Sequence, residues 1–292
     1  MAAGEAVGFI GLGVMGEPIC RHLRQKSGRP VIAFDERAAP LERLGSEGVH
    51  AAGSAREVAA AADVVFLCLP GGKQVESVVE GGVLGAATAG QVLVDLGTSP
   101  VGLARRLAAV LEQRGAGFAD APIARTREAA QRGTLSAMVG ARPEVFTRIE
   151  PLIRCFATDI THCGEPGSGQ IVKLLNNMVL FQTVNALAEA LAVGRRAGID
   201  PALLFETLAK GSADSFALRN HGMKAMLPGV FPERAFSTEY ALKDLSYALE
   251  LARETGVAAR GAEVAEARLR EAITAGFGAC YFPALARTVD AR

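Results

Sequence analysis

Net charge is the first thing this 292-residue chain lacks, because 31 basic and 31 acidic side chains cancel. That excludes a broad surface for nucleic acid or an anionic membrane, both of which need accumulated positive charge. Local anion pockets stay compatible with it. Cysteine is sparse as well: Cys20, Cys68, Cys155, Cys163 and Cys280 are scattered, odd in number and form no Cys-x-x-Cys pair. A disulfide framework and a zinc knuckle are thereby excluded, and a reducing cytoplasm is the expected compartment. The four histidines, His22, His50, His162 and His221, show no metal-ligand spacing, so no metal is expected. Met1 to Ala6 shows no basic segment followed by an apolar stretch, and the apolar run Val64 to Leu69 is far too short to span a bilayer. Neither a targeting segment nor a membrane segment is expected. A Gly-x-Ser-x-Gly elbow is missing. The glycine-rich run Gly164 to Gly169 is only a near match to a P-loop: Gln170 stands where a lysine must reach phosphate, and Ile171 where a hydroxyl must hold magnesium.

What the chain does have is apolar mass, half of its residues, with 21% charged, so burial is ample. Its length exceeds what one core usually fills, which predicts two domains. In the first part, short β-rich runs alternate with helical patterns: Val7 to Ile10, Val31 to Phe34, Val64 to Leu69, Val92 to Asp95, Gly117 to Asp120 and Ala137 to Val139. Such alternation implies βαβ units and a parallel sheet. Ser54 with Glu57 has capping-box spacing and predicts a helix start there. After about residue 163 the strand signal stops, and Asp200-Pro201 reads as a cap and first turn. The boundary is placed at the turn Gly164 to Gly169, giving an α/β domain over 1–164 and an all-helical domain over 165–292 joined by a long helix. Ile171 to Gly194 is rich in apolar residues, but Lys173, Asn176, Asn177, Gln182, Asn185 and Glu189 interrupt it, which predicts a buried soluble helix.

Gly11-Leu12-Gly13-Val14-Met15-Gly16 directly follows the first strand and precedes a helical segment. Bare backbone there lets a pyrophosphate approach a helix N-terminus, and the second strand leads into Asp35, whose carboxylate can accept from a ribose 2′-hydroxyl. The reading is a dinucleotide site. Asp35 would repel an extra 2′-phosphate, so NAD is expected, while Arg37 leaves NADP as the alternative.

Lys173 and Asn177 stand four apart early in the long helix and so share a face. Alone, the pair is better explained by hydrogen bonding across the joint than by chemistry. Together with Phe9 to Gly16, Asp120-Ala121-Pro122 with Gly133-Thr134-Leu135, Gly169 with Lys173, Asn176 and Asn177, and Lys243-Asp244-Leu245, however, the chain resembles the β-hydroxyacid dehydrogenase family along almost its whole length. That family includes 3-hydroxyisobutyrate dehydrogenases, tartronate semialdehyde reductases and sulfolactaldehyde reductases. The resemblance implies an N-terminal Rossmann domain, doubly wound and mostly parallel, with a helical substrate and oligomerisation domain. It implies Lys173 as the acid/base residue, Asn177 and Asn176 at the substrate, Lys243 near nicotinamide and substrate, and cofactor contacts at Leu69, Pro70 and Thr98 besides Gly11 to Gly16 and Asp35. It also implies a homodimer or homotetramer, for which Ala186, Ala188, Ala190, Ala192 and Gly194 would permit close helix packing. Hydride loss from a hydroxyl-bearing carbon develops carbonyl character, so a group must manage the hydroxyl proton, and an amine does so where burial or a neighbouring cation favours its neutral form.

The chain departs from the family's pattern at four places. Where the substrate loop usually reads Ser-Gly-Gly, it has Ala124-Arg125-Thr126. A guanidinium can clamp an anion with two donors, which points to an anionic small-molecule substrate with a charged or larger acid group than that of simple hydroxyisobutyrate, and the Arg-Thr pair resembles sulfolactaldehyde reductases. Leu180, on the Lys173 face, puts an apolar group where sulfonate-handling relatives have a hydroxyl, which favours a carboxylate. Gly97 replaces a usual serine and Pro100 comes one residue early, and Gly278 to Phe282 lacks the acids that relatives often carry there. The expected function is reversible hydride transfer between NAD and a small 3-hydroxyacid or semialdehyde. The alternatives are reduction of sulfolactaldehyde or another anionic aldehyde, imine reduction, which relatives generally perform without the lysine, and a catalytically silent NAD-binding module.

Overall fold

In the computed structural model, which describes residues 5–233 and 235–289, the chain divides into two units, Met1–Lys173 and Leu174–Arg292. The division by contacts falls inside the long helix, beyond the glycine-rich turn.

The first unit is built on nine strands: β1 Val7–Ile10, β2 Val31–Phe34, β3 His50–Ala51, β4 Val64–Leu67, β5 Val92–Asp95, β6 Gly117–Asp120, β7 Ile123–Ala124, β8 Leu135–Ala141 and β9 Ala157–Gly164. Their order is β3-β2-β1-β4-β5-β6-β8-β7, with β9 also pairing β8. β1 to β6 run parallel, while β8 meets both β6 and β7 antiparallel. The sheet is the doubly wound, mostly parallel type that the βαβ alternation predicts. The chain builds outward from β1 to β3, then crosses to β4 on β1's other side. This reversal opens a crevice at the carboxyl ends of β1 and β4, where such sheets take their ligands.

Alternation inside the strands makes two apolar layers, since successive side chains point to opposite faces. Val7, Phe9, Val64, Phe66, Val92 and Val94 enter one layer, and Ile10, Val65, Leu67 and Leu93 the other. In the first layer Phe9 stacks on Phe66 with centroids 6.3 Å apart, and Phe66 meets Phe156 edge-on at 6.1 Å. The helix after β3 starts where the capping spacing places it: Ser54 Oγ accepts from Glu57 N at 3.1 Å, and Glu57 reaches back to Gly53 N at 2.8 Å.

Three strands lie outside the sequence reading. β3 and β7 have two residues each, too few for a period to show. β9 reads Ala-Thr-Asp-Ile-Thr-His-Cys-Gly, and its exposed Thr158, Asp159, Thr161 and His162 break any apolar alternation; pairing with β8 makes it a strand. β4 ends at Leu67, so Cys68 and Leu69 belong to the loop after it.

The second unit's described elements are helices, with two isolated bridges, Glu233 to Cys280 and Ser237 to Tyr281. Asp200 caps the helix Pro201–Leu208 by accepting from Leu203 N at 2.8 Å. Helices Thr238–Glu254 and Arg260–Ala272 pack together, and Phe181, Phe236 and Phe282 form an aromatic centre with centroids 5.2–5.9 Å apart. The long helix, Ser168–Arg196, has 29 residues. By length and composition it could cross a membrane, yet it buries Leu174, Phe181, Val184, Leu187 and Leu191, as a core helix does.

Candidate active site

The glycine-rich turn uses its three glycines for three different reasons. Gly11 has φ +95°, and a side chain there would lie 2.5 Å from the Cys68 carbonyl oxygen. Gly16 opens the helix Gly16–Lys26, and a Cβ on it would sit 2.0 Å from the Gly11 oxygen. At Gly13 a Cβ would meet nothing within 4 Å, so the bare backbone faces open space. Turn, packing and open approach are the three requirements of pyrophosphate at a helix N-terminus. These residues fit a dinucleotide.

Asp35 follows β2 and reaches back to this turn. Its Oδ2 accepts from Leu12 N at 2.6 Å, and its Oδ1 accepts from Arg37 N at 2.9 Å and pairs with Arg37 Nε at 3.0 Å. Burial works against its ionisation, but Arg37 and the two amides outweigh it and hold the carboxyl below its ordinary value. Arg37 also donates to the Leu12 carbonyl at 3.1 Å, so its guanidinium is engaged on the turn. Leu69 and Pro70 follow β4, and Thr98, nearly buried, follows β5. Gly11 to Gly16, Asp35, Leu69, Pro70 and Thr98 therefore all lie beyond the carboxyl ends of the adjacent strands β2, β1, β4 and β5.

β6 ends in Asp120, a carboxylate with no solvent exposure that accepts from Gly167 N at 2.5 Å and Gln170 N at 2.7 Å. Burial pushes its carboxyl up to about 6, against the pull of those amides, so it is ionised at neutral pH. The motif residue is thus occupied with the start of the long helix. Next along, Ala124 ends β7 and Thr126 caps the helix Arg127–Arg132, its Oγ1 accepting from Ala129 N at 3.3 Å. Between them Arg125 has φ +87°, the left-handed region that glycine enters without cost. Its guanidinium lies on Thr134 O at 2.7 Å, Thr158 Oγ1 at 3.0 Å and Asp159 Oδ2 at 2.7 Å.

In the second unit, Asn177, Asn176, Lys243 and Asp244 come together. Asn177 is buried; its Nδ2 donates to Asp244 Oδ2 at 2.8 Å and its Oδ1 accepts from Asn176 at 3.1 Å. A carboxylate only accepts here, which fixes the orientation of the amide. Lys243 Nζ is 3.0 Å from Asp244 Oδ1, an ion pair without hydrogen-bond alignment, and lies 4.2 Å from the Tyr240 ring centre. Lys173 is the last residue of the first unit, one helical turn before Asn177 and half-buried.

Two family models cover the chain: the NAD-binding domain of 6-phosphogluconate dehydrogenase matches residues 6–164, and the NAD-binding domain of NADP-dependent 3-hydroxyisobutyrate dehydrogenase matches 167–288. The chain belongs to the β-hydroxyacid dehydrogenase family. It is 37% identical to 2-(hydroxymethyl)glutarate dehydrogenase of Eubacterium barkeri, over 86% of this chain and 83% of that one. To 3-hydroxyisobutyrate dehydrogenase of Pseudomonas aeruginosa it is 35% identical, over 80% and 78%. The solved 3-hydroxyisobutyrate dehydrogenase of Mycobacterium tuberculosis, with L-serine, superposes with a TM-score of 0.90 at 30% identity, covering 98% of this chain and 99% of that one. The chain is an NAD(P)-dependent oxidoreductase acting on a CH–OH group.

The sequence reading placed Asp120 and Asp244 in motifs but gave them no task, and left Asp95, Ser99 and Gln170 out of the site. The available signal was the placing of charge: Asp95 and Asp120 each close an otherwise apolar strand, a costly position unless the group is hydrogen-bonded. The glycines give a test of the cofactor turn. Gly13→Ala should leave the melting temperature within about 2 °C while raising the NADH dissociation constant about tenfold or more in a fluorescence titration. Gly16→Ala should cost about 1–3 kcal/mol of stability by overpacking, read in denaturant unfolding.

Proposed function

We propose that this enzyme interconverts a small 3-hydroxyacid and its semialdehyde, with NAD as the preferred cofactor and Lys173 as the acid/base residue. The observation that carries the proposal is the placing of Lys173: it stands in the second turn of the helix whose start Asp120 holds, and one turn ahead of the buried Asn177. When bound, the nicotinamide accepts or returns the hydride. In oxidation the carbinol C–H bond breaks with its electron pair, a C=O double bond forms, and the hydroxyl proton passes to the Lys173 amine; reduction reverses each step. Asn177 acts at the substrate end of that exchange, held by Asp244. Lys243, held by the same carboxylate, adds positive charge for substrate and nicotinamide. The lysine argues against imine reduction and against a silent binding module.

NAD is favoured because Asp35 is an anion committed to the turn, and Arg37 is spent on Asp35 and Leu12 O instead of on a 2′-phosphate. The substrate's acid group is assigned to the loop Ala124-Arg125-Thr126. Because the Arg125 guanidinium sits on Asp159 and Thr158, it serves first to hold the left-handed loop, whose backbone then faces the anion. Five unpaired thiols support a reducing cytoplasm. Exposed Leu175, Val179 and Val193 share one face of the long helix with Ala186, an apolar stripe suited to a second copy of the chain in a homodimer or homotetramer.

Against a panel of 3-hydroxyacids, sulfolactate and short semialdehydes, a 3-hydroxyacid should turn over with NAD, and Lys173→Ala should lower kcat/KM about 10²–10⁴-fold with NADH affinity unchanged. Near-normal turnover in that variant would end the assignment. Asp35→Ser should shift the NAD-to-NADP ratio of kcat/KM about tenfold toward NADP. Arg125→Gly should keep the substrate KM within about threefold, whereas Arg125→Ala, which keeps the strain and loses the latch, should raise it about tenfold. A direct guanidinium anchor predicts equal loss in both.

A further inference from the structure

One buried polar chain in the first unit is left unused by the chemistry above. Asp95 and Asp120 are register partners at the ends of β5 and β6 and are both sealed from water. Asp95 holds the loop after its own strand: Oδ1 accepts from Gly97 N at 2.8 Å, and Oδ2 from Ser99 Oγ at 2.7 Å. Gln170, fully buried, fastens the same loop from the other side. Its Nε2 donates to the Gly97 carbonyl at 2.8 Å, and its Oε1 accepts from Ser99 N at 3.0 Å. The partners fix the orientation of the amide, since one is solely an acceptor and the other solely a donor. The backbone N–H of the same residue donates to Asp120 at 2.7 Å.

Two glycines let these parts meet. A Cβ on Gly169 would lie 2.3 Å from the Met138 carbonyl oxygen, and one on Gly140 would lie 2.6 Å from Asp120 Oδ1. The helix start is thus set directly on the backbone of β8, beside the end of β6. Gln170 grips the residues on either side of Thr98, and Lys173 stands three residues on in the same helix. A spacing of three keeps both on one side of that helix.

We propose that Gln170 is a positioning residue that fixes the Thr98 loop and the Lys173 helix in one frame, so that the cofactor and the proton-transfer amine are placed together. The proposal rests on the assignment of Lys173 for its catalytic consequence. Its structural half, the tie between loop and helix, does not. In a site without water each broken bond leaves a stranded polar group, so the frame is stiff.

Gln170→Leu keeps the volume and deletes both side-chain bonds, and Gln170→Glu keeps an acceptor for Ser99 N–H while losing the donor to Gly97. The second variant serves if the first fails to fold. In each, amide hydrogen exchange should speed up in both segments 96–100 and 167–173, and the NADH dissociation constant should rise about fivefold. With turnover measured alongside, kcat should fall about 10–100-fold while the substrate KM stays within about threefold. A lowered melting temperature with wild-type kcat and NADH affinity would make Gln170 merely structural and overturn the proposal. So would faster exchange confined to one segment. Lys173→Ala run in parallel keeps the two readings apart: normal turnover there ends the acid/base assignment, while the exchange and NADH measurements still decide the tie.

Discussion

The crowded junction where β6, β8 and the long helix meet sets the terms for the rest of the molecule. A carboxylate without solvent, Asp120, accepts from the amides that begin a 29-residue helix, and glycines at 140 and 169 allow the backbones to close on one another. A helix N-terminus offers unpaired donors and a partial positive charge, so a buried anion is a suitable partner for it. Asp120 turns that local need into a fixed starting point for the helix. The residues that open the helix, Gln170 and Lys173 among them, inherit their position from there.

The same economy of parts appears in the cofactor half. Asp35 does two jobs, accepting from Leu12 N and holding Arg37 on the turn, so one carboxylate braces the whole glycine-rich loop. In the second unit Asp244 does likewise for Asn177 and Lys243. Three carboxylates thus organise the donors around them. The groups assigned to chemistry are amines and amides, which the carboxylates aim.

Much of this was legible in the sequence wherever a local rule applied. The run Gly11 to Gly16 could be read as a tight turn into a helix because each glycine answers a separate steric demand, and Asp35 could be placed at the end of the second strand. The long helix followed from its pattern, and the starts of two other helices from the spacing at Ser54 and Asp200. β9 could not be read, since its eight residues carry polar groups on exposed positions and become a strand only through β8. Nor could the direction of Arg125: Asp159 lies 34 positions away in sequence, and nothing local brings them together. Gln170 shows the sharper limit. Local pattern said what it was not, a phosphate-binding lysine, but its actual partners, Gly97 and Ser99, come from another loop.

The charge state of Asp120 has a thermodynamic sign. Its carboxyl is raised from an ordinary 3.8 to about 6, so the folded chain binds this proton more readily than the unfolded chain does. Stability from this group is full below the unfolded value and is lost as pH rises through the folded one. At neutral pH the charged form of Asp120 therefore stabilises the fold less than its protonated form does at low pH, the reverse of Asp35, whose lowered value contributes stability above 3.8 that is surrendered only in stronger acid. As pH falls below neutral, Asp120 takes up its proton while Asp35 stays ionised, so the β6 junction and the glycine-rich turn answer acid in opposite senses.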